Sequence, residues 1–346
     1  MLSSVASPQA MIRNPIIAAM NYTKKKAAVL YHYPCPDGTF AALAAHLYFS
    51  ATSSPVQFFP NTVYSPIKAD QLPLQEIGDV YLLDFVGPSG FVADLSSKVE
   101  KVIILDHHKT ALQTLGGETS LGENVTKVLD MERSGATIAY DYFKQKLSEG
   151  NGGSHESVLA EFNRMRKLFE YIEDGDLWKW RLENSKAFSS GLKDQNLEFD
   201  FQKNPSVFQQ LLSLNLESVI NQGIISLDHK QKLITDALEQ SFTINLGGGV
   251  FGHCLAVMAD EALSELRSEL GNQLACKSQD QNLRGIGAIV YKVPKLGNDQ
   301  MFKISLRSVK SEDTTPISEK YGGGGHRNAS SFLLRLADFE AWKMNS

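Results

Sequence analysis

Three continuous apolar runs in the first third of the chain constrain its fold most strongly. They cover residues 27–33, 80–86 and 102–105, and they are rich in branched side chains. Strands that are apolar at nearly every position are typical of a parallel sheet covered on both faces. Helical patterns of apolar side chains follow at residues 39–49 and 158–172. This alternation of strands and helices predicts an α/β fold with right-handed crossovers.

The length of the chain, 346 residues, favours two domains. The first 26 residues carry basic and hydroxyl side chains but no acidic one, which is typical of a flexible segment or a weak transit peptide. After this segment at residues 1–26 we expect a mainly parallel-sheet domain at 27–191, a helical connector at 192–249 and a smaller α/β domain at 250–346.

Charge, hydropathy and cysteine usage exclude several classes of function. The chain has 34 basic and 39 acidic side chains, and this balance of −5 is a weak electrostatic basis for holding long nucleic acid. No stretch approaches the roughly 18 apolar residues of a membrane-spanning helix, so no membrane partner is expected. Three widely spaced cysteines favour a reducing compartment. The cytoplasm is therefore expected, with a mitochondrion or a plastid as the alternative.

Acidic and histidine side chains cluster where these apolar segments end. A motif from His32 to Asp37 follows the first run, Asp84 follows residues 80–83, and the triplet Asp-His-His at 106–108 follows the third run. Because the carboxyl ends of parallel strands meet at one edge of a sheet, we expect their carboxylates to converge. Like charges placed together repel unless a cation neutralises them. Oxygen ligands mixed with imidazole suit Mn²⁺ or Mg²⁺.

Each of these residues alone has a simpler explanation. His32 could be a hydrogen-bonded structural histidine, and Asp84 could cap a helix or a turn. Asp174 and Asp176, which follow the helical stripe, could form an ordinary turn. The adjacent Asp-His-His triplet is much harder to explain in this way. Together and in this order, the clusters indicate a metal site.

The order and spacing of these motifs resemble the DHH family of phosphoesterases, which is named after the triplet at residues 106–108. Residues 133–136, Arg-Ser-Gly-Ala, are similar to the start of a helix downstream of the triplet in that family. Residues 305–308 and the segment Gly-Gly-Gly-Gly-His-Arg at 322–327 are similar to the family's smaller C-terminal domain. The resemblance extends from about residue 27 to residue 334. It implies a catalytic first domain, a substrate-binding second domain and an active-site cleft between them.

The resemblance also implies roles for individual residues. Asp84 would be a carboxylate shared by two metal ions, and His108 would contact the phosphate or protonate the leaving oxygen. Asp174 is preferred to Asp176 because it falls where the family's fourth acidic ligand falls. The implied metal ligands are His32, Asp37, Asp84, Asp106, His107 and Asp174, and the implied catalytic residues are Asp84, Asp106 and His108. The implied substrate-binding residues are Arg307, Gly323, Gly324, Gly325, His326 and Arg327.

The glycine segment can also be interpreted from physical principles. Consecutive glycines let backbone N–H groups approach an anion closely, and the neighbouring His326, Arg327 and Arg307 could add positive or hydrogen-bonding groups. A flexible turn between strands would explain a glycine run equally well.

One position departs from the family pattern. The usual first motif is His-x-Asp-x-Asp-Gly, whereas this chain has Cys35 in place of the first aspartate and His32 one residue further away. A thiolate suits Zn²⁺ better than Mn²⁺. Cys35 could also be a small buried residue with no ligand role. The expected cofactor is therefore one or two Mn²⁺ ions, with Mg²⁺ or Zn²⁺ as the other options.

The resemblance implies a metal-dependent hydrolase. The expected substrates are oligoribonucleotides, dinucleotides or bisphosphorylated nucleosides, cleaved by a metal-activated hydroxide. The enzyme would be a phosphodiesterase similar to 3′-5′ exonucleases or a nucleotide phosphatase. In size and domain content the chain is similar to the family's oligoribonucleases (nanoRNases) and pAp phosphatases, in which dimers are common, so a homodimer is one option. The alternatives are an inorganic polyphosphate or pyrophosphate hydrolase, which the glycine segment disfavours, and a non-catalytic nucleotide-binding module.

Overall fold

The structure is a computed structural model that describes residues 25–117, 121–149, 155–293, 297–298 and 300–344. The N-terminal segment expected at residues 1–26 lies outside the described residues except for Lys25 and Lys26. None of the helices within the described ranges is long and apolar enough to cross a bilayer.

The chain divides into two compact units. Unit 1 consists of Met1–Ser185 and Asn196–Leu216, and unit 2 consists of Lys186–Gln195 and Glu217–Ser346. The helical connector expected at residues 192–249 is therefore not a separate body. Its residues 196–216 belong to unit 1, and its other residues belong to unit 2.

Unit 1 contains a parallel sheet. Its strands within the described residues are β1 (Lys26–His32), β2 (Val56–Asn61), β3 (Ile77–Leu83), β4 (Lys101–Asp106) and β5 (Val125–Leu129). They lie in the order β2-β1-β3-β4-β5, and all neighbours are parallel. The chain adds β2 on one side of β1 and β3 on the other, so the winding direction changes between β1 and β3. Open α/β sheets bind ligands at the carboxyl ends of the strands at such a point.

Helices cover both faces of this sheet. They are α1 (Pro36–Ala51), α2 (Phe91–Ser96), α3 (Lys109–Gly117), α4 (Gly135–Glu149) and α5 (Glu156–Asp176). After α6 (Ser185–Asp194), which falls almost entirely in unit 2, the chain returns to unit 1 with α7 (Val207–Leu212).

Side chains on the three central strands alternate between two buried faces. Leu82 and Ile104 belong to a core cluster with Val92 of α2 and Leu115 of α3. Tyr81, which points to the other face, contacts Phe49 of α1 and Phe143 of α4. Because both faces are covered, β1, β3 and β4 are mostly apolar along their buried middle parts, which confirms the predicted parallel sheet.

Unit 2 contains a mixed sheet. Its described strands are β6 (Phe242–Asn245), β7 (His253–Met258), β8 (Ile286–Lys292), β9 (Met301–Ser308), β10 (Gly324–His326) and β11 (Ala329–Arg335). They lie in the order β10-β11-β9-β8-β7-β6. Only the β7–β8 pair in this described sheet is parallel. The helices that follow α7 are α8 (Leu216–Glu239), α9 (Arg267–Asp280), α10 (Thr315–Lys320) and α11 (Leu336–Glu340). The smaller α/β domain expected in the second half of the chain is thus confirmed as a fold class.

Candidate metal centre

The carboxyl ends of β1 and β3 bring His32 and Asp84 together. His32 is the last residue of β1, and Asp84 directly follows β3 in a left-handed backbone conformation with φ 63°. Nδ1 of His32 lies 3.1 Å from Oδ2 of Asp84. The backbone N–H of Asp84 donates to the carbonyl of Leu105 at 2.8 Å, which holds Asp84 against the end of β4. Only 1% of the Asp84 surface is exposed, so its carboxylate lies inside the protein.

Asp37 lies in the first turn of α1 and faces the first turn of α4. Its Oδ2 accepts from the backbone N–H of Gly135 at 2.7 Å, and its Oδ1 accepts from that of Ala136 at 3.0 Å. The positive end of the α4 dipole therefore stabilises a buried carboxylate. A Cβ on Gly135 would lie 2.7 Å from the Asp84 Cβ and 2.8 Å from its Oδ1. Glycine is required here because α4 begins directly against the acidic cluster.

The triplet at the end of β4 forms a tight turn around Asp106. Oδ1 of Asp106 accepts from the backbone N–H of His107 at 2.6 Å and from that of His108 at 3.0 Å. The same oxygen lies 2.7 Å from Nδ1 of His108. Asp106 thus holds the backbone of both histidines and the imidazole of His108, which is the use that loops commonly make of an aspartate.

Three carboxylates converge on one imidazole nitrogen. Nε2 of His107 lies 3.2 Å from Oδ1 of Asp84, 3.5 Å from Oδ2 of Asp176 and 3.7 Å from Oδ2 of Asp37. Both this nitrogen and Oδ1 of Asp84 are buried without a hydrogen-bond partner among the described residues. A single N–H group cannot satisfy three carboxylates, whereas a divalent cation accepts lone pairs from all of these groups. The donor set therefore fits a metal ion.

The ligand atoms form three overlapping groups. In each group the atoms lie within 4.8 Å of one another. The groups are Asp37 with His107 and Asp176, then Asp84 with Asp106, His107 and His108, and finally His32 with Cys35 and Asp84. Asp84 and His107 each belong to two of the groups. These oxygen and nitrogen donors could bind a divalent metal ion.

The three converging carboxylates differ in their electrostatic environment. Burial raises the pKa of Asp37 well above its ordinary value, and the charges of Asp84 and Asp176 raise it further. Burial, and then the charge of Asp84, also raises the pKa of Asp176. Burial alone would raise the pKa of Asp84 too, but the imidazoles of His107 and His32 outweigh it and lower the pKa to about 2. A bound cation would offset the repulsion among these carboxylates.

His108 is the more accessible of the two triplet histidines. Its side chain is 43% exposed, whereas that of His107 is 9% exposed. The hydrogen bond with Asp106 raises the pKa of His108 to about 9, and the charge of Asp84 contributes to this shift. Asp106 therefore holds the His108 ring at Nδ1, while the rest of the side chain is partly exposed to solvent.

Asp176 occupies the place that the sequence interpretation gives to Asp174. The carboxylate of Asp174 accepts from the backbone N–H groups of Arg181 at 3.0 Å and Leu182 at 3.2 Å, beyond the end of α5. Residues two apart on a helix point in nearly opposite directions, so only one of the two aspartates can face His107. The structure thus brings Asp176, rather than the expected Asp174, next to His107, and which of the two binds a metal ion stays a prediction. Asp176 lies four residues after the buried Ile172 and therefore shares its face of α5, although Asp174 is the more buried of the two aspartates.

Cys35 lies between β1 and α1, next to His32 and Asp84. Its sulfur belongs to the same ligand group as these two side chains. Its carbonyl accepts from the N–H and the hydroxyl of Thr39, so the residue also fixes the start of α1. Burial, and then the charge of Asp84, raises the pKa of the Cys35 thiol. The position is therefore compatible with a ligand, and the ligand role stays a prediction.

The residues predicted to bind substrate in the second half lie on β9 and on a hairpin. Arg307 is part of β9, and Gly324, Gly325 and His326 form β10. Arg327 lies in the turn to β11, where its Nε donates to the carbonyl of Glu312 at 3.3 Å. The side chains of His326 and Arg327 are exposed. These residues lie in unit 2, and their role in substrate binding stays a prediction.

Backbone packing accounts for most of the glycine segment. A Cβ on Gly323 would overlap the carbonyl oxygen of Ser331, and Gly322 and Gly325 have φ values of 72° and 147°. These three glycines are therefore required by the hairpin of β10 and β11. Gly324 differs, because no described atom would lie within 4 Å of a Cβ at this position. The segment is a strand and a turn, and Gly324 is the position where a ligand could approach the backbone.

Comparisons with known proteins give two curated relatives, and no protein-family model matches the chain. The chain is 24% identical over 317 residues to the uncharacterised protein R106 of Acanthamoeba polyphaga mimivirus, and the alignment covers 88% of this chain and 67% of R106. It is 25% identical over 233 residues to the oligoribonuclease NrnB of Bacillus subtilis, and the alignment covers 66% of this chain and 52% of NrnB. The chain thus spans about half the length of NrnB.

The solved structures that align with this chain are distant. The exonuclease RecJ bound to manganese aligns with a TM-score of 0.41 and 12% identity, covering 92% of this chain and 88% of RecJ. The pGpG-specific phosphodiesterase PggH of Vibrio cholerae aligns with a TM-score of 0.39 and 10% identity, covering 92% of this chain and 93% of PggH. The resemblance to the DHH phosphoesterases that the motifs indicate is confirmed by the sequence match to the oligoribonuclease.

Proposed function

We propose that this chain is a metal-dependent phosphoesterase that hydrolyses phosphate ester bonds in short nucleotidic substrates, such as oligoribonucleotides, dinucleotides or bisphosphorylated nucleosides. The observation that carries the proposal is the convergence of Asp37, Asp84 and Asp176 on the unpaired Nε2 of His107. This cluster lies at the carboxyl ends of parallel strands, where such sheets bind ligands. The oligoribonuclease among the relatives supports the substrate class.

Two adjacent sets of side chains would hold the metal ions. Asp37, His107 and Asp176 form one set, and His32 with Asp84 forms the core of the other. Oδ1 of Asp84 faces His107 while its Oδ2 faces His32, so one carboxylate reaches both sets. Divalent ions bound there, Mn²⁺ first and Mg²⁺ or Zn²⁺ as options, would lower the pKa of a water and offset charge on the phosphoryl oxygens.

His108 would be the catalytic residue that contacts the substrate phosphate. Asp106 holds its Nδ1 at 2.7 Å, and its side chain is 43% exposed next to the acidic cluster. A positioned imidazole of this kind can bind a phosphoryl oxygen or give a proton to the leaving oxygen. Asp106 would act as a positioning residue through its Oδ1, which closes the turn and holds His108.

The second unit would bind the substrate through side-chain hydrogen-bond donors and an accessible stretch of backbone. His326, Arg327 and Arg307 supply hydrogen-bond donors for an anion, and Gly324 leaves its backbone accessible. The formal net charge of −5 also suits short substrates better than long strands, which proteins hold through many phosphate contacts.

A panel of substrates tests the proposal directly. A 5′-phosphorylated RNA dinucleotide, a nucleoside bisphosphate and inorganic polyphosphate are each incubated with the full chain in Mn²⁺, Mg²⁺ or Zn²⁺, and the products are identified. We expect metal-stimulated release of mononucleotide or phosphate from the nucleotidic substrates. Asp84→Asn should abolish it, and Asp94→Asn, on the exposed face of α2, is the matched control. Absence of metal-stimulated release from every substrate would overturn the proposal, and release from polyphosphate alone would favour the inorganic alternative.

A further inference from the structure

Trp178 is exposed directly beyond the acidic cluster. It follows the end of α5 by two residues, and 78% of its surface is accessible. Only two peptide units separate it from Asp176, so the two Cα atoms are at most about 7.6 Å apart. The largest of the apolar side chains is thus in water beside the candidate metal centre.

The backbone of Trp178 adds a second unfavourable feature. Its φ of 52° lies in the left-handed region, which bulky side chains rarely adopt. Its N–H donates to the carbonyl of Gly175 at 3.1 Å, and Lys179 N–H donates to that of Asp174 at 2.9 Å, so the residue ends the helix. Glycine or asparagine performs this role without strain. Ending the helix therefore does not explain why tryptophan is present.

A second tryptophan supports the exposed ring from one side. Trp180 also has a left-handed backbone, with φ 49°, and a Cβ added to Gly175 would lie 3.6 Å from its ring. The ring centroids of Trp178 and Trp180 are 5.6 Å apart with the planes at 84°. An edge-to-face contact of this kind orients the indole of Trp178 without burying it.

We propose that Trp178 stacks on a nucleobase of the substrate, adjacent to the phosphate held at the metal centre. This inference rests on the proposed function and narrows its substrate class to esters that carry a base. An aromatic face stacks on any base, so it supplies affinity without sequence preference. Strained and exposed residues beside a catalytic centre commonly serve binding rather than folding. Inorganic polyphosphate, which has no base, would gain nothing from this residue.

Two variants separate a binding role from a structural one. Trp178→Gly removes the ring and suits the left-handed backbone, so its thermal unfolding midpoint should equal or exceed that of the unmodified chain. Trp178→Phe keeps an aromatic face. For both, KM is measured for a 5′-phosphorylated RNA dinucleotide and for its abasic analogue, which has the same phosphodiester without bases.

The expected result is a change in the ratio of the two KM values. Trp178→Gly should raise KM for the dinucleotide relative to the abasic diester by roughly 5- to 150-fold, the range for one lost base–aromatic stack. Trp178→Phe should retain most of the difference. An unchanged ratio of the two KM values in Trp178→Gly would overturn the inference. If the unfolding midpoint also falls, the role of the ring is structural. A dimer that dissociates in Trp178→Gly without a change in the ratio would assign the ring to a subunit contact instead.

A binding measurement distinguishes failure of this inference from failure of the proposed function. Adenosine 5′-monophosphate is titrated into the full chain with Mn²⁺, and tryptophan fluorescence is followed. Stacking should quench the fluorescence, and the quenching should be lost in Trp178→Phe although Trp180 and Trp342 remain. If the chain hydrolyses no substrate, the proposed function fails, and the quenching still decides whether Trp178 binds a base.

Discussion

Oδ1 of Asp84 lies 3.2 Å from Nε2 of His107, and both atoms are buried without a hydrogen-bond partner in the described part of the chain. Burying two polar atoms in this way costs free energy unless a further group binds them. The first turn of α1 and the end of α5 bring the carboxylates of Asp37 and Asp176 to the same place. The fold therefore concentrates negative charge where a cation would be most stabilising.

The two aspartates at the end of α5 should have opposite effects when their charge is removed. Asp176→Asn removes a carboxylate from the cluster, so affinity for Mn²⁺ should fall at least about tenfold. In metal-free protein its unfolding midpoint should not fall, because repulsion from Asp84 is relieved. Asp174→Asn instead weakens the carboxylate bonds with Arg181 and Leu182, so the free energy of unfolding should fall by about 1–2 kcal/mol.

Isothermal titration calorimetry with Mn²⁺ and thermal unfolding without metal measure these two effects. Each variant is the control for the other, because both remove one carboxylate from the same helix end. Loss of Mn²⁺ affinity in Asp174→Asn alone would restore Asp174 as the ligand.

The sequence predicts the centre of the sheet and the convergence of its acidic residues. The buried middle parts of β1, β3 and β4 are mostly apolar, because they are covered on both faces, and this pattern can be recognised in the sequence. β5 could not be predicted from an apolar run, because it lies at the edge of the sheet and three of its five side chains are exposed. Polar residues at the ends of parallel strands must lie at one edge, which is why the group of Asp37, Asp84 and Asp106 could be predicted together.

The remaining features depend on tertiary contacts that no local pattern encodes. Asp174 and Asp176 are chemically identical, and only the phase of α5 decides which one faces His107. The four glycines at 322–325 carry no side chains, so they lack the alternation of polar and apolar residues that would identify β10 as a strand. The requirement for glycine at position 135 comes from Asp84, which is far away in the sequence and close in space.

A methyl group at position 135 should damage the metal centre. In Gly135→Ala the new Cβ would lie 2.7 Å from the Asp84 Cβ and 3.0 Å from Oδ2 of Asp37. Alanine favours helix, so α4 itself would not suffer. Displacement of the two carboxylates should nevertheless lower the free energy of unfolding by about 1–3 kcal/mol and weaken Mn²⁺ binding.

Gly116→Ala is the matched control for this variant. Gly116 lies in α3, and no described neighbour would come within 4 Å of its Cβ. The free energy of unfolding should rise by about 0.5–1 kcal/mol, with Mn²⁺ affinity unchanged. Denaturant unfolding and calorimetry check both proteins. Equal Mn²⁺ affinity in Gly135→Ala and the unmodified chain would contradict the close packing of α4 on the cluster.

Two neighbouring glycines of the hairpin should separate folding from substrate binding. In Gly323→Ala the Cβ would overlap the Ser331 carbonyl, so the unfolding midpoint should fall. In Gly324→Ala the Cβ meets open space, so the midpoint should stay the same while KM for an RNA dinucleotide rises. Thermal unfolding and steady-state kinetics test both variants. If KM in Gly324→Ala is unchanged, the backbone of β10 does not approach the substrate.

Replacement of Cys35 by the aspartate of the usual family motif should shift the metal preference. The side chain of Cys35 reaches the same ligand group as His32 and Asp84, and burial raises its thiol pKa, which weakens it as a ligand for a hard cation. Cys35→Asp adds an oxygen ligand, so affinity for Mn²⁺ should rise relative to Zn²⁺. In metal-free protein the added charge beside Asp84 should lower the unfolding midpoint, and Mn²⁺ should restore it.

Cys35→Ser, which is similar in size and uncharged, is the control and should show neither change. Calorimetric titration with each ion and thermal unfolding with and without Mn²⁺ measure these effects. Equal Mn²⁺ affinity in Cys35→Asp and Cys35→Ser would show that position 35 does not reach a metal ion, and Cys35 would then be a small residue that only supports the start of α1.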